Sequence, residues 1–188
     1  MPPRPGRCPR CFLQLHLCLC AEVRPIDNRT HVVVLRHWLE SGKNSNTARI
    51  AALALARCSV HDLGRDLPAE QVDRLATPGT WLLFPDGPAL TTAPSPPPAR
   101  LLVLDGSWHQ ARHMRQKLHG LRGLPVLCLP PAPAPVERLR RPPRQGALAT
   151  IEAIAAALAL LEGEAPAAAL RDLYALQVTR SRISGRGF

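Results

Sequence analysis

The chain has 188 residues, 46% of them hydrophobic, and carries 24 Lys and Arg against 14 Asp and Glu, for a formal charge of +10. This length and apolar content fit one globular domain and exclude a disordered chain, while no apolar run reaches the roughly 20 residues of a membrane span. Nearly all the cations are arginine, whose planar fork matches phosphate and stacks on bases, so a polyanion such as RNA is the natural partner, although net charge alone does not separate RNA from DNA or from a membrane surface.

Four thiols crowd the start of the chain as Cys8-Pro-Arg-Cys11 and Cys18-Leu-Cys20. Two close pairs can wrap one tetrahedral ion, with thiolates about 2.3 Å from a zinc. Cys8, Cys11, Cys18 and Cys20 are therefore read as a structural zinc site, with His16 as a substitute ligand. Arg4, Arg7 and Arg10 precede no long apolar stretch, so no signal peptide is read and a cytoplasmic location is expected. In that compartment, metal or thiol chemistry explains cysteines better than disulfides do. Cys58 and Cys128, in apolar surroundings, are expected in the core.

His31-Val-Val-Val-Leu35 reads as a buried strand by its β-branched run. His37-Trp-Leu-Glu40 follows, then a polar turn from Ser41 to Thr47. Ser45, Asn46 or Thr47 can cap the next helix, whose Ile50, Leu53, Ala54 and Arg57 carry it to about Cys58. Taken alone, His37, Lys43 and Asn46 are simple loop polarity. A second strand, Trp81 to Phe84, stops at Pro85-Asp86-Gly87-Pro88. A Pro-rich surface loop from Thr91 to Arg100 leads to a third strand, Leu101 to Leu104, and the fourth is Val126 to Leu129. The long Pro-rich loop from Pro130 to Gly146 holds Arg138, Arg140, Arg141 and Arg144; loops of that length are functional or disordered. Thr150 is expected to cap an Ala-rich helix with Glu152 in its first turn, and Pro166 to start the last helix. Strands alternating with helices predict an α/β fold with a mostly parallel sheet flanked by helices.

The richest stretch is Leu101 to Arg112, which reads as strand, tight turn at Asp105-Gly106, and helix. Ser107 and Gln110 stand in capping-box relation, so the helix should start at Ser107. Asp105 then sits at the carboxyl end of a strand, where α/β sheets bind ligands. Ala111, Met114, Leu118 and Leu121 recur at core spacing, while Trp108, Arg112, Arg115 and His119 line another side. A carboxylate, a stacking ring and cations suit a site acting on a nucleotide base. The bland alternative is a capped surface helix with solvated charges.

Together these pieces resemble the DTW-domain family, whose Asp-x-Thr-Trp motif is nearly reproduced by Asp105-Gly-Ser-Trp108. The resemblance also rests on the cysteine cluster, His37-Trp-Leu-Glu40 leading to Lys43-Asn-Ser-Asn-Thr47, Leu83-Phe-Pro-Asp-Gly87, and Arg138-Leu-Arg-Arg-Pro-Pro with Ala149-Thr-Ile-Glu-Ala153. Ser107 replaces the usual Thr, Ala149 a Ser, and Asn44 a Pro.

The resemblance implies a tRNA-uridine aminocarboxypropyltransferase that uses S-adenosylmethionine, on a SPOUT-like, knotted fold. Residues 1–25 would form the zinc-binding segment and residues 26–188 the catalytic domain. It implies Asp105 as the base for uridine N3, with Ser107 and Trp108 in the catalytic motif. Leu83, Phe84, Pro85, Asp86, Gly87, Leu127 and Leu129 would cradle the adenosine, with Thr150 and Glu152 nearby and Arg140 available to the methionyl carboxylate. His37, Lys43, Asn46, Arg112, Arg115 and Arg138 are the expected tRNA contacts. Two alternatives remain: an RNA methyltransferase on the same fold, and a non-enzymatic zinc-dependent RNA-binding module. No exposed apolar stripe fixes an oligomeric state.

Overall fold

A computed structural model describes residues 5–43, 45–64, 67–131, 139 and 147–183. Its centre is a sheet of five strands: β1 (His31–His37), β2 (Cys58–Leu63), β3 (Thr80–Leu83), β4 (Arg100–Asp105) and β5 (Val126–Leu127). They lie in the order β2-β1-β4-β3-β5, and every neighbouring pair is parallel. The α/β reading from the strand pattern is therefore correct. Val32 to Leu35 and Leu101 to Leu104 are buried along both faces, as parallel strands covered by helices must be.

Strand alternation divides the core in two. Val32, Val34, Leu101 and Val103 face one side, where they join the apolar residues of α1 (Ala48–Ala54), α3 (Thr150–Glu162) and α4 (Glu164–Ile183). Val33, Leu35, Leu102 and Leu104 face the other, against Ala111 and Met114 of α2 (Trp108–Lys117) and against Leu118 and Leu121 beyond it. Each of those four residues is buried, as the spacing predicts.

Three local expectations need correction. The first helix ends at Ala54 rather than near Cys58, and Cys58–Leu63 forms β2, a strand the pattern did not reveal. Its mixed Cys-Ser-Val-His-Asp-Leu sequence suits an edge strand, and its order comes from pairing with β1. The fourth predicted strand contracts to Val126–Leu127, although Cys128 continues as a lone bridge to Ala89. Finally, Ala149 and not Thr150 is the residue before α3; Glu152 accepts the Ala149 N–H at 2.6 Å, which leaves the Thr150 hydroxyl for another partner.

The cysteine-rich segment is not a separate lobe of packing. Leu13, Leu17 and Leu19 belong to the α3/α4 side of the core, together with Cys8 and Cys11. Arg180 near the end of α4 donates to the Cys18 carbonyl and pairs with Glu22, which fastens the segment to the last helix.

Candidate active site

Parallel strands aim their carboxyl ends at one rim of the sheet, and the chain turns there into loops and helix starts. At this rim lies a cavity of about 760 Å³, walled by the residues after β1, β3, β4 and β5 and by the start of α3. Such a volume is that of a small-molecule site.

Asp105, the last residue of β4, is 4% exposed and lies on the cavity wall. Its Oδ2 accepts from the Asn46 amide and its Oδ1 from the Thr150 hydroxyl, each at 2.5 Å. Burial holds the carboxyl above its ordinary pKa of 3.8, opposed by the two hydrogen bonds and by the nearby Arg36 charge. A carboxylate offers about four acceptor positions, so these two bonds orient Asp105 without exhausting it.

The partners are delivered by neighbouring elements. Asn46 is buried just before α1, and its Oδ1 accepts the Arg49 N–H at 3.2 Å. Thr47 accepts the N–H of Ile151 at 3.2 Å, bringing the starts of α1 and α3 together behind the carboxylate. Arg36 on β1 forms a two-pronged pair with Asp62 on β2, at 2.6 and 3.1 Å, and lies beside Asp105 in the strand register. Sequence reasoning missed both residues; the only available signal was a cation at the end of an apolar strand.

Ser107 accepts the Gln110 N–H at 3.3 Å while the Gln110 side chain accepts the Ser107 N–H at 2.7 Å, completing the expected capping box. This box starts α2 at Trp108, whose ring lies parallel to Phe84, with centroids 5.9 Å apart and planes 2° apart. The pair forms one aromatic wall of the cavity. Gly106 fits the turn closely, since a Cβ there would stand 3.0 Å from that of Gln110.

Of the residues expected around a cofactor, Leu83, Phe84, Pro85, Gly87, Leu129, Thr150 and Glu152 line the cavity, and Cys128, Ala149 and Tyr174 join them. Asp86 and Leu127 do not line it: Asp86 is exposed and 3.9 Å from Arg115, and Leu127 is buried in the core. Among the expected RNA contacts, Asn46 lines the cavity from inside and Arg112 is exposed. Lys43 pairs with Glu40 at 2.5 Å, and Arg115 donates to the Leu121 carbonyl at 3.0 Å. His37 accepts from the Leu39 N–H through Nδ1, shares that nitrogen with the Gln110 amide, and stacks with exposed Trp38. Arg138, Arg140, Arg141, Arg144 and Asn44 lie outside the described residues.

The four N-terminal thiols converge, with all Sγ atoms within 4.8 Å of one another. Cys8 and Cys20 are 3.6 Å apart and Cys11 and Cys18 are 3.7 Å apart. Tetrahedral ligands about 2.3 Å from a zinc stand roughly 3.8 Å from each other, so the group fits a metal. Burial works against the Cys8 thiolate, but the N–H groups of Cys11 and Arg10 outweigh it and bring the pKa to about 6. Burial and then the adjoining thiols push Cys20 the other way. None of the four lines the cavity.

The DTW domain family model matches residues 6–182. The "tRNA-uridine aminocarboxypropyltransferase 2" of Mus musculus is 30% identical over 172 residues, which cover 85% of this chain and 57% of that protein. The protein of the same name from Macaca fascicularis is 28% identical over 172 residues, with the same two coverages. That from Drosophila melanogaster is 28% identical over 176 residues, 86% of this chain and 68% of the relative. The chain thus spans little more than half the length of the two mammalian relatives. No solved structure matches it.

Proposed function

This chain belongs to the DTW-domain family, and we propose that it is a tRNA-uridine aminocarboxypropyltransferase that takes the 3-amino-3-carboxypropyl group from S-adenosylmethionine and places it on N3 of a uridine. The relatives' names supply the reaction class. The observation that carries the proposal is the placement of Asp105: a buried carboxyl at the wall of a nucleoside-sized cavity, held by two neutral donors and beside an aromatic pair.

The sulfonium supplies a leaving group: the N3–Cγ bond forms as the Cγ–S bond breaks, the bonding pair departs on sulfur in methylthioadenosine, and the N3 proton goes to Asp105. Asp105 is suited to this because burial raises its proton affinity. Asn46 and Thr150 hold its two oxygens in place, so alignment of base and base edge needs little reorganisation. Trp108 and Phe84 offer a face for a planar ring. The loops Leu83 to Gly87 and Cys128 to Leu129, with Thr150 and Glu152, form an adenosine cradle, and one arginine of the Arg138 to Arg144 loop, with Arg140 as the candidate, pairs with the methionyl carboxylate. Arg112, Arg115, Arg138, His37 and Lys43 supply the tRNA surface.

The same reading includes a zinc ion held by Cys8, Cys11, Cys18 and Cys20, a zinc-binding segment over residues 1–25, a catalytic domain over 26–188, and a cytoplasmic location. It also includes a SPOUT-like knotted path.

The decisive experiment incubates tRNA with the protein and S-adenosylmethionine, followed by mass spectrometry of nucleosides and small molecules. Aminocarboxypropyluridine with methylthioadenosine is the expected result. S-Adenosylhomocysteine with a methylated base would make the protein a methyltransferase instead. RNA binding without calorimetric binding of S-adenosylmethionine would reduce it to a binding module.

A further inference from the structure

Behind Asp105 runs a buried polar row that crosses three strands and leaves the cavity. Arg36 and Asp62 are 5% and 6% exposed, hold matching register positions on β1 and β2, and do not line the cavity. Asp62 grips the guanidinium with both oxygens, at 2.6 Å from Nε and 3.1 Å from Nη2. The remaining prong, Nη1, donates to Asn46 Oδ1 at 3.4 Å, and the Arg49 N–H donates to the same oxygen at 3.2 Å.

Those two contacts decide which way the Asn46 carboxamide faces. A guanidinium and a peptide N–H are donors only, and a carboxylate is an acceptor only. Oδ1 must therefore face Arg36 and Arg49, and Nδ2 must face Asp105, where it lies 2.5 Å from Oδ2. The flipped amide would set its NH₂ against two donors and its oxygen against a carboxylate.

We propose that Arg36 and Asp62 are positioning residues for the transfer reaction: Asp62 holds the guanidinium, the guanidinium holds the Asn46 carboxamide, and the carboxamide aims the Asp105 carboxylate into the cavity. The reaction rests on the reading given above for Asp105, whereas the chain of contacts does not. A purely structural ion pair at this place has a ready substitute, because apolar residues of similar volume often replace buried pairs without loss of stability. Apolar residues cannot fix an amide.

The chain of contacts also sets the charge around the base. Arg36 favours the anionic form of Asp105, and Glu40, after β1, opposes it while paired with Lys43. Asp62 stands beyond Arg36 and Arg49 lies in the first turn of α1, while among the described residues Glu152 of α3, Tyr174 of α4 and Cys128 after β5 line the same cavity.

The test compares the full-length protein with Arg36→Gln, Arg36→Lys and the double variant Arg36→Met/Asp62→Leu. Each is measured by single-turnover transfer to tRNA against pH, by ¹³C NMR titration of the Asp105 carboxyl (assigned with Asp105→Asn), and by thermal melting. Arg36→Gln should raise the Asp105 midpoint by about one pH unit and lower the plateau rate roughly 10- to 100-fold. Arg36→Lys should restore the midpoint but only part of the rate, because an ammonium cannot bind Asp62 and Asn46 together in the fork geometry. The double variant should melt like the parent yet keep the losses in midpoint and rate. A double variant with parental rate and midpoint would overturn the proposal and leave the pair merely structural. If the parent transfers no aminocarboxypropyl group, the functional reading fails by itself. The NMR titration then still decides the positioning claim: a shifted midpoint in the double variant supports it, and an unshifted one overturns it.

Discussion

The thiol cluster of residues 8–20 and the carboxyl end of β4 both bury groups able to carry negative charge, and they are held in opposite ways. Four sulfurs converge; burial and then the neighbouring thiols push Cys20 up, whereas backbone N–H groups outweigh burial and pull Cys8 down. A cation would complete such a group, and its ionisation and its fold would then rise and fall together. Asp105 is instead held by an amide and a hydroxyl, both neutral, with the neighbouring Arg36 guanidinium already committed to Asp62. Neutral donors orient a carboxyl while leaving its proton exchangeable. The first arrangement suits a structural ion, and the second suits the exchangeable proton that the proposed transfer needs.

The largest effect should come from breaking the first arrangement. Removing zinc with a chelator, or changing Cys11→Ser, should cost up to about 10 kcal/mol of stability, read as loss of the cooperative melt together with release of the metal. Retained melting and no metal release would show that the thiols act without one. Asp105→Asn should do the reverse: transfer should fall roughly 10²- to 10⁴-fold while the fold persists in circular dichroism and melting.

The same substitution tests the pH behaviour. Burial raises the Asp105 pKa, so the folded protein keeps this proton to higher pH than the unfolded chain does. The stability that the protonated form contributes is complete below the ordinary value of 3.8 and is lost as pH rises through the raised value. Melting of the parent should therefore decline relative to Asp105→Asn from acid toward neutral pH, whereas transfer by the parent should climb over that interval.

Thr150→Val sharpens the contrast further. It leaves one buried carboxylate oxygen short of a donor, which should cost about 1–3 kcal/mol in thermal unfolding and move the rate profile to higher pH. Ser107→Ala should have the smallest effect, about 1 kcal/mol for a lost helix cap, with cofactor affinity nearly intact because Phe84 still supports Trp108.

Much of this arrangement was legible in one stretch of sequence. The apolar run before Asp105, the Ser107/Gln110 pair and the Ala111/Met114/Leu118/Leu121 spacing are local signals, and each sits where local physics requires. The thiol cluster was legible for the same reason, since its spacing brings its own ligands together. What stayed hidden depends on pairing between distant segments. β2 is a strand because β1 lies beside it, and Asn46 and Thr150 meet Asp105, with Asp62 gripping Arg36 beside them, only after three strands and two helix starts have assembled. Thr150 illustrates the point: its sequence position suggested a cap, but its hydroxyl serves a strand 45 residues away.

The clasp between Arg180 and the Cys18 carbonyl has a consequence for biosynthesis. These residues stand 162 positions apart, so the thiol segment, whose ligands meet within residues 8–20, is fastened to the rest of the core only once α4 has formed. Domains in which early and late residues depend on each other form slowly. Until then, the segment's attachment to α4 contributes nothing to its stability, and only its local contacts hold the thiols together.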